Sequence, residues 1–263
     1  MSNLDIAAKS PLWRLNKFVG YFATAQVSGS CDLLTPDQGL HELAIDGSPL
    51  AGARLLGLSL PPVSSESAIS GLEGYTRRGD LVGIYAPTDA QPFRSQAYWR
   101  LASHDLGADP WKALAAIELV ASKQTDLLDS RPDLSVSSRL PCITAWLLTD
   151  VDTGSYDEID LHRKPVFSRT NGVACFVFRL PGNSLSYAEM VYPLDFETSE
   201  LARVNNAGKS LVRTEHQLFV HRLEKGVILR ARVLGLLLNR DDDLRVAAAH
   251  YAQFAASDPP LTT

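Results

Sequence analysis

The chain predicts a mainly β fold, a large antiparallel two-sheet sandwich with two or three helices. Three observations carry that expectation. Gln217–Leu238 (QLFVHRLEKGVILRARVLGLLL) reads as two strands around a tight turn at Glu224-Lys225-Gly226. Phe93, Ser95, Ala97, Trp99 and Leu101 alternate with Arg94, Gln96, Tyr98 and Arg100, and a period of two sends those sets to opposite faces of a strand. No regular alternation of strand and helix patterns occurs, which argues against a parallel doubly wound sheet. With 263 residues and 45% hydrophobic content, the chain can bury a sizeable core. One β-rich domain over 1–263 fits, as do two halves near 1–130 and 131–263.

The elements follow in order. Lys17 to Val27 and Arg54 to Leu60 read as strands. So does Gly39 to Ile45, closed by the turn dipeptide Asp46-Gly47. Pro61 to Ser67 reads as a loop. Gly74 to Thr76, a turn at Arg77-Arg78-Gly79-Asp80, and Leu81 to Ala86 make a hairpin that leads to Phe93–Leu101. Asp109 and Pro110 then suit the start of a helix over Trp111–Leu128, whose stripe is Leu114, Ile117, Ala121, Gln124 and Leu128. Strands resume at Ser135 to Leu140, Ile143 to Thr149 and Val173 to Leu180, while Tyr187 to Leu201 fits either state. Asp241-Asp242-Asp243 offers caps for a final helix, Leu244–Ala255.

Several chemistries find no support. The formal net charge is −5 and no basic block exceeds a pair, so nucleic acid is not expected as a partner. Cys31, Cys142 and Cys175 are few and far apart, which fits neither a disulfide framework nor a zinc site. The segment MSNLDIAAKSPLWRLNKF lacks an apolar core, and no run of about 18 apolar residues occurs. A soluble, cytoplasmic protein is therefore expected, without membrane association. Asn205-Asn206-Ala207-Gly208-Lys209-Ser210 ends like a phosphate loop, but Arg203 stands where the first Gly belongs and a strand follows. Asp150–Glu158 resembles a calcium loop, yet its Gly is early and Leu161 replaces the final Glu. Of His41, His104, His162, His216, His221 and His250, only His216 and His221 form a close pair. An offset of five on a strand puts those two on opposite faces, so no metal site is expected. No cofactor is expected.

What remains is a strand face. Arg94, Gln96, Tyr98 and Arg100 share one side of their strand, as do Arg230 and Arg232 of theirs. An aromatic ring can stack on the apolar face of a sugar, and arginine can clamp a carboxylate or sulfate with paired hydrogen bonds.

Two stretches resemble known families. Glu73–Val82 (EGYTRRGDLV) with Gln96–Arg100 (QAYWR), and Leu223–Val233 (LEKGVILRARV), resemble a bacterial family of no assigned function. Gly39–Leu50 (GLHELAIDGSPL) resembles an early strand pair of galactose-mutarotase-like β-supersandwich proteins. The second resemblance implies a supersandwich architecture. The leading expectation is binding of a carbohydrate-like or anionic small ligand on the Arg/Tyr face. One alternative is a sugar-active epimerase or lyase using a His and a Glu drawn from His41, Glu189, His216 or Glu224. The other is a protein–protein interaction module. A His–Glu pair in a pocket would favour the enzyme, and a shallow charged face without one would favour binding.

Overall fold

The fold is seen in a computed structural model, which describes residues 13–61, 63–89, 91–101, 113–169, 173–182, 185–206, 209–219 and 221–258. The first half contributes β1 (Trp13–Asn16), β2 (Val19–Ala23), β3 (Val27–Asp32), β4 (Leu40–Ile45), β5 (Ser48–Pro49) and β6 (Arg54–Leu58). A short helix α1 (Glu66–Ser70) precedes β7 (Leu72–Arg77), β8 (Asp80–Tyr85), β9 (Arg94–Leu101) and β10 (Ala115–Gln124). Then come β11 (Ser135–Leu140), β12 (Thr144–Asp150), β13 (Ser155–Glu158), β14 (Val166–Ser168) and β15 (Cys175–Arg179). The chain closes with β16 (Leu185–Val191), β17 (Thr198–Asn206), β18 (Lys209–Gln217), β19 (Ile228–Asn239) and α2 (Asp243–Ala256).

These strands form two antiparallel sheets. Sheet I has ten strands in the order β1-β2-β3-β4-β6-β11-β18-β17-β14, with β5 beside β4. Sheet II has nine, in the order β13-β12-β15-β16-β19-β10-β9-β8-β7. Each sheet takes strands from both halves of the chain. The core lies between them, where Phe22, Leu40, Leu58, Val136 and Val212 of sheet I meet Leu81, Trp99, Leu119, Phe176 and Val233 of sheet II. Period two explains the inward set: Ala97, Trp99 and Leu101 are buried, as are Ala231 and Val233.

A close backbone approach packs β6 against the turn between β3 and β4. At Gly57 an added Cβ would lie 2.2 Å from the Asp37 carbonyl oxygen, so only glycine fits. Beside it Leu56 adopts φ +56°. Its N–H donates to Ser138 Oγ at 2.9 Å, and its carbonyl accepts the Trp99 indole N–H at 3.2 Å. The left-handed residue is thereby tied to its own sheet and to the opposite one.

Three expectations are corrected. The segment read as a helix over Trp111–Leu128 holds strand β10 across Ala115–Gln124, and Trp111 and His104 lie outside the described residues. β10 is a central strand, paired with β9 and β19, and apolar residues sit on both of its faces. Burial on both faces erases the alternation of a half-buried strand, so apolar residues also fall at helical spacing. Leu128, assigned to the stripe, is 83% exposed.

The second correction concerns Gln217–Leu238. The turn exists, with the Val227 N–H donating to the Glu224 carbonyl and Gly226 at φ +83°. Its flanking strands are no hairpin, because β18 belongs to sheet I and β19 to sheet II. Leu218, Phe219 and Leu223 bury at the end of the sandwich and draw the chain across instead of back.

The third correction is the cap of α2. Asp242 occupies the cap position in the left-handed region and makes no side-chain cap bond. The buried Asp243 anchors the helix instead, accepting both Arg179 Nε and Nη2 at 3.0 Å and Ser186 Oγ at 2.7 Å.

Candidate functional site

The outward side of sheet II is divided in two. Over β15, β16 and β19 it is covered by α2, whose Val246, Ala247, Tyr251 and Phe254 pack on Val177, Met190, Leu234 and Leu236. Over β7 to β9 and the neighbouring part of β10, α2 does not pack on it. There the antiparallel register sets side chains in rows across the strands. One row runs Tyr75, Val82, Tyr98 and Val120, and the next runs Glu73, Ile84, Gln96 and Ser122, reaching Arg230 of β19. A depression of about 280 Å³ lies among them, lined by Tyr75, Arg77, Arg94, Gln96, Tyr98, Ser122, Gln124, Ile228 and Arg230. Ile84 also lines it as an apolar floor, clustered with Tyr98 and with the buried Val82 and Val120, and Tyr75 packs against them.

Four of the six residues singled out in the sequence therefore line one depression: Arg94, Gln96, Tyr98 and Arg230. Period two placed each on its strand face, and pairing through β10 brought the two strands together. The Tyr98 hydroxyl donates to Gln96 Oε1 at 3.3 Å. Burial raises the Tyr98 phenol above its ordinary value and Tyr75 adds to the effect, against the opposing pull of Arg230 and Arg77. Tyr98 thus stays a neutral donor at physiological pH. Arg94 is loosely held, 3.8 Å from Glu73 with both side chains partly in water.

The other two, Arg100 and Arg232, share the face and sit in an ion network at its border with α2. Arg100 lies 3.3 Å from Asp80 and 3.7 Å from Glu118. Arg232 Nε donates to the same Glu118 at 2.6 Å. Its guanidinium also lies 4.9 Å from the Tyr192 ring and 4.7 Å from the Phe254 ring, and it donates to Ser257 Oγ. Arg232 is 5% exposed and holds the end of α2 on the sheet.

Tyr75, Arg77, Ser122, Gln124 and Ile228 were missed. Ser122 and Gln124 were hidden by reading β10 as a helix. As a strand, Glu118, Val120, Ser122 and Gln124 fall opposite Arg100, Tyr98, Gln96 and Arg94. Tyr75 and Arg77 were legible from period two on β7.

Of the His and Glu candidates, the fold joins Glu189 with His216, across the two sheets. His216 Nε2 lies 2.7 Å from Glu189 Oε1, and both side chains are 0% exposed. Thr214 Oγ1 donates to the same oxygen at 2.6 Å, while Glu189 Oε2 accepts Tyr187 OH at 2.6 Å and the Ser138 hydroxyl. Ser199 Oγ meets His216 Nδ1 at 2.6 Å. Burial works to raise the Glu189 carboxyl, but the bonds from His216, Ser138 and Thr214 outweigh it and hold the group below its ordinary range. This network closes on itself inside the core, with both side chains out of contact with solvent. His41 lines a separate cavity on sheet I, and Glu224 is exposed in its turn.

No family model matches the chain, and no curated protein does. Solved structures do. A Salmonella typhimurium protein provisionally assigned as a mutarotase aligns at TM-score 0.53 and 10% identity, over 87% of this chain and 93% of that one. A galactose mutarotase-like protein from Clostridium acetobutylicum aligns at 0.51 and 8%, over 86% and 98%. An Escherichia coli K12 protein provisionally assigned as an aldose 1-epimerase aligns at 0.50 and 10%, also over 86% and 98%. The molecule thus has the galactose-mutarotase-like β-sandwich fold.

Proposed function

We propose that the protein binds an anionic, carbohydrate-like small molecule on the half of sheet II that α2 does not cover. One observation carries the reading. Arg94, Gln96, Tyr98 and Arg230, from strands far apart in sequence, line one depression with Tyr75, Arg77, Ser122 and Gln124. The tyrosines offer apolar faces for a sugar ring. Gln96, Ser122 and Gln124 offer hydrogen bonds to hydroxyls, and the arginines favour a carboxylate or ester anion. The depression, about 280 Å³, suits a ligand near the size of one sugar. The likeness in fold to mutarotase-like proteins makes sugars the first ligands to try. The burial of Glu189 and His216 leaves binding better supported than epimerisation, and the apolar floor is too enclosed by charge to favour a flat protein interface.

A thermal-shift screen tests the reading. Uronic acids and sugar phosphates should raise Tm in a concentration-dependent way, since ligand that binds only the native state stabilises it by mass action. Neutral sugars should act weakly. Shifts from neutral sugars alone, or from no sugar of any charge, would contradict it.

A further inference from the structure

The outward face of sheet I carries an arginine row that the proposed site does not use. Arg139 on β11 stands directly across from Arg54 on β6 and from Arg213 on β18. Directly opposed residues of an antiparallel pair have Cβ atoms about 4.5–5.5 Å apart, and like charges there weaken the sheet. Arg213 is met by Glu215, which also accepts the Ser135 hydroxyl. Among the described residues no ion pair engages Arg54 or Arg139. Arg139 Nε is buried and has no hydrogen-bond partner. Arg54 is exposed and borders a cavity of about 640 Å³ with Thr35, Gln38, His41 and Glu42. That cavity lies where β4 and β6 are joined through the one register pair Leu40–Leu55. Of these three opposed cations only Arg213 has a carboxylate partner among the described residues, and the pairing of Arg139 with Arg54 follows a register shift after Ser137, so the row is short of negative charge and Arg139 keeps a buried unanswered donor.

We propose that Arg54, Arg139 and Arg213 form a site for a phosphate group, delivered as inorganic phosphate or as a small phosphate ester. A tetrahedral dianion offers enough acceptors for several guanidinium groups at once, and it removes the repulsion between them. Glu215 holds Arg213 in place beside it. The site lies on the other sheet from the sugar-binding face and stands or falls independently of it.

The test is a titration of the whole chain with inorganic phosphate and, separately, with glycerol 3-phosphate, against chloride at equal ionic strength. Thermal shift and calorimetry read wild type, Arg54→Gln, Arg139→Gln and, as a control at an exposed arginine outside both proposed sites, Arg222→Gln. Wild type and Arg222→Gln should show the same phosphate-specific rise in Tm. Arg54→Gln and Arg139→Gln should each weaken binding at least about tenfold, the loss of one charge-assisted contact. Without phosphate, Arg54→Gln should melt no lower than wild type, because removing a like charge relieves the row. Of the two probes, the tighter binder identifies the source of the phosphate. No phosphate-specific shift in wild type, or full retention of it in Arg54→Gln, overturns the proposal. Because Arg54 is exposed, that variant decides the question even if Arg139→Gln fails to fold.

Discussion

Arg230 and Arg232 stand two residues apart on one strand face, and their surroundings give them different work. Arg232 is held by Glu118, two aromatic rings and Ser257, with 5% of its surface in water. Removing it leaves Glu118 without its closest partner and frees the end of α2. Arg232→Ala should therefore cost about 3–5 kcal/mol, as breaking a buried pair does. Arg230 is only half-buried and borders the depression. Arg230→Ala should change stability by less than about 1 kcal/mol. Urea melts of both variants check the contrast. Equal effects would mean that the division between anchoring and binding arginines is wrong.

At the scale of elements, the alternating strands were legible and the doubly covered one was not. Phe93–Leu101 and Ser135–Leu140 declare themselves because one face is apolar and the other polar. The same reading placed Arg94, Gln96, Tyr98 and Arg230 on their faces. β10 has apolar residues on both sides and carries no such mark, so Ser122 and Gln124 stayed hidden. The crossing after β18 was equally silent, because local sequence says where a turn lies and not which sheet receives the next strand. Glu189 and His216 were candidates by residue type alone, and only sheet packing joined them and enclosed them. Tertiary approach also explains Gly57, whose conformation no local pattern marks. A methyl there would meet the Asp37 carbonyl oxygen at 2.2 Å, backbone that cannot yield cheaply. Gly57→Ala should lower stability by more than about 2 kcal/mol, as overpacking and strain do. A variant melting within a degree of wild type would show that the two segments are not in contact.

At the scale of the whole molecule, two sheets drawn from both halves of the chain share one core, and the Glu189 network ties them together. The Glu189 carboxyl is held below its ordinary range when folded, and unfolded it titrates near about 4.3. Its contribution to stability is complete above that unfolded value and is lost as pH falls through the folded one. Glu189→Gln should be less stable than wild type at pH 7, and the gap should narrow as the pH falls below about 4. Urea melts from neutral to acid pH measure that gap, and a constant gap would mean the carboxyl is not held as the network requires. The outward side of sheet II completes the picture: α2 covers one half, the Arg100–Glu118–Arg232 network marks the border, and the other half presents tyrosines, amides and arginines. Calorimetric titration of a sugar acid into wild type, Arg94→Ala and Arg230→Ala tests this division most directly. Each variant should fold normally and bind more weakly by roughly 1.5–3 kcal/mol, the usual worth of a hydrogen bond to a charged group. Unchanged affinity in both variants would contradict it.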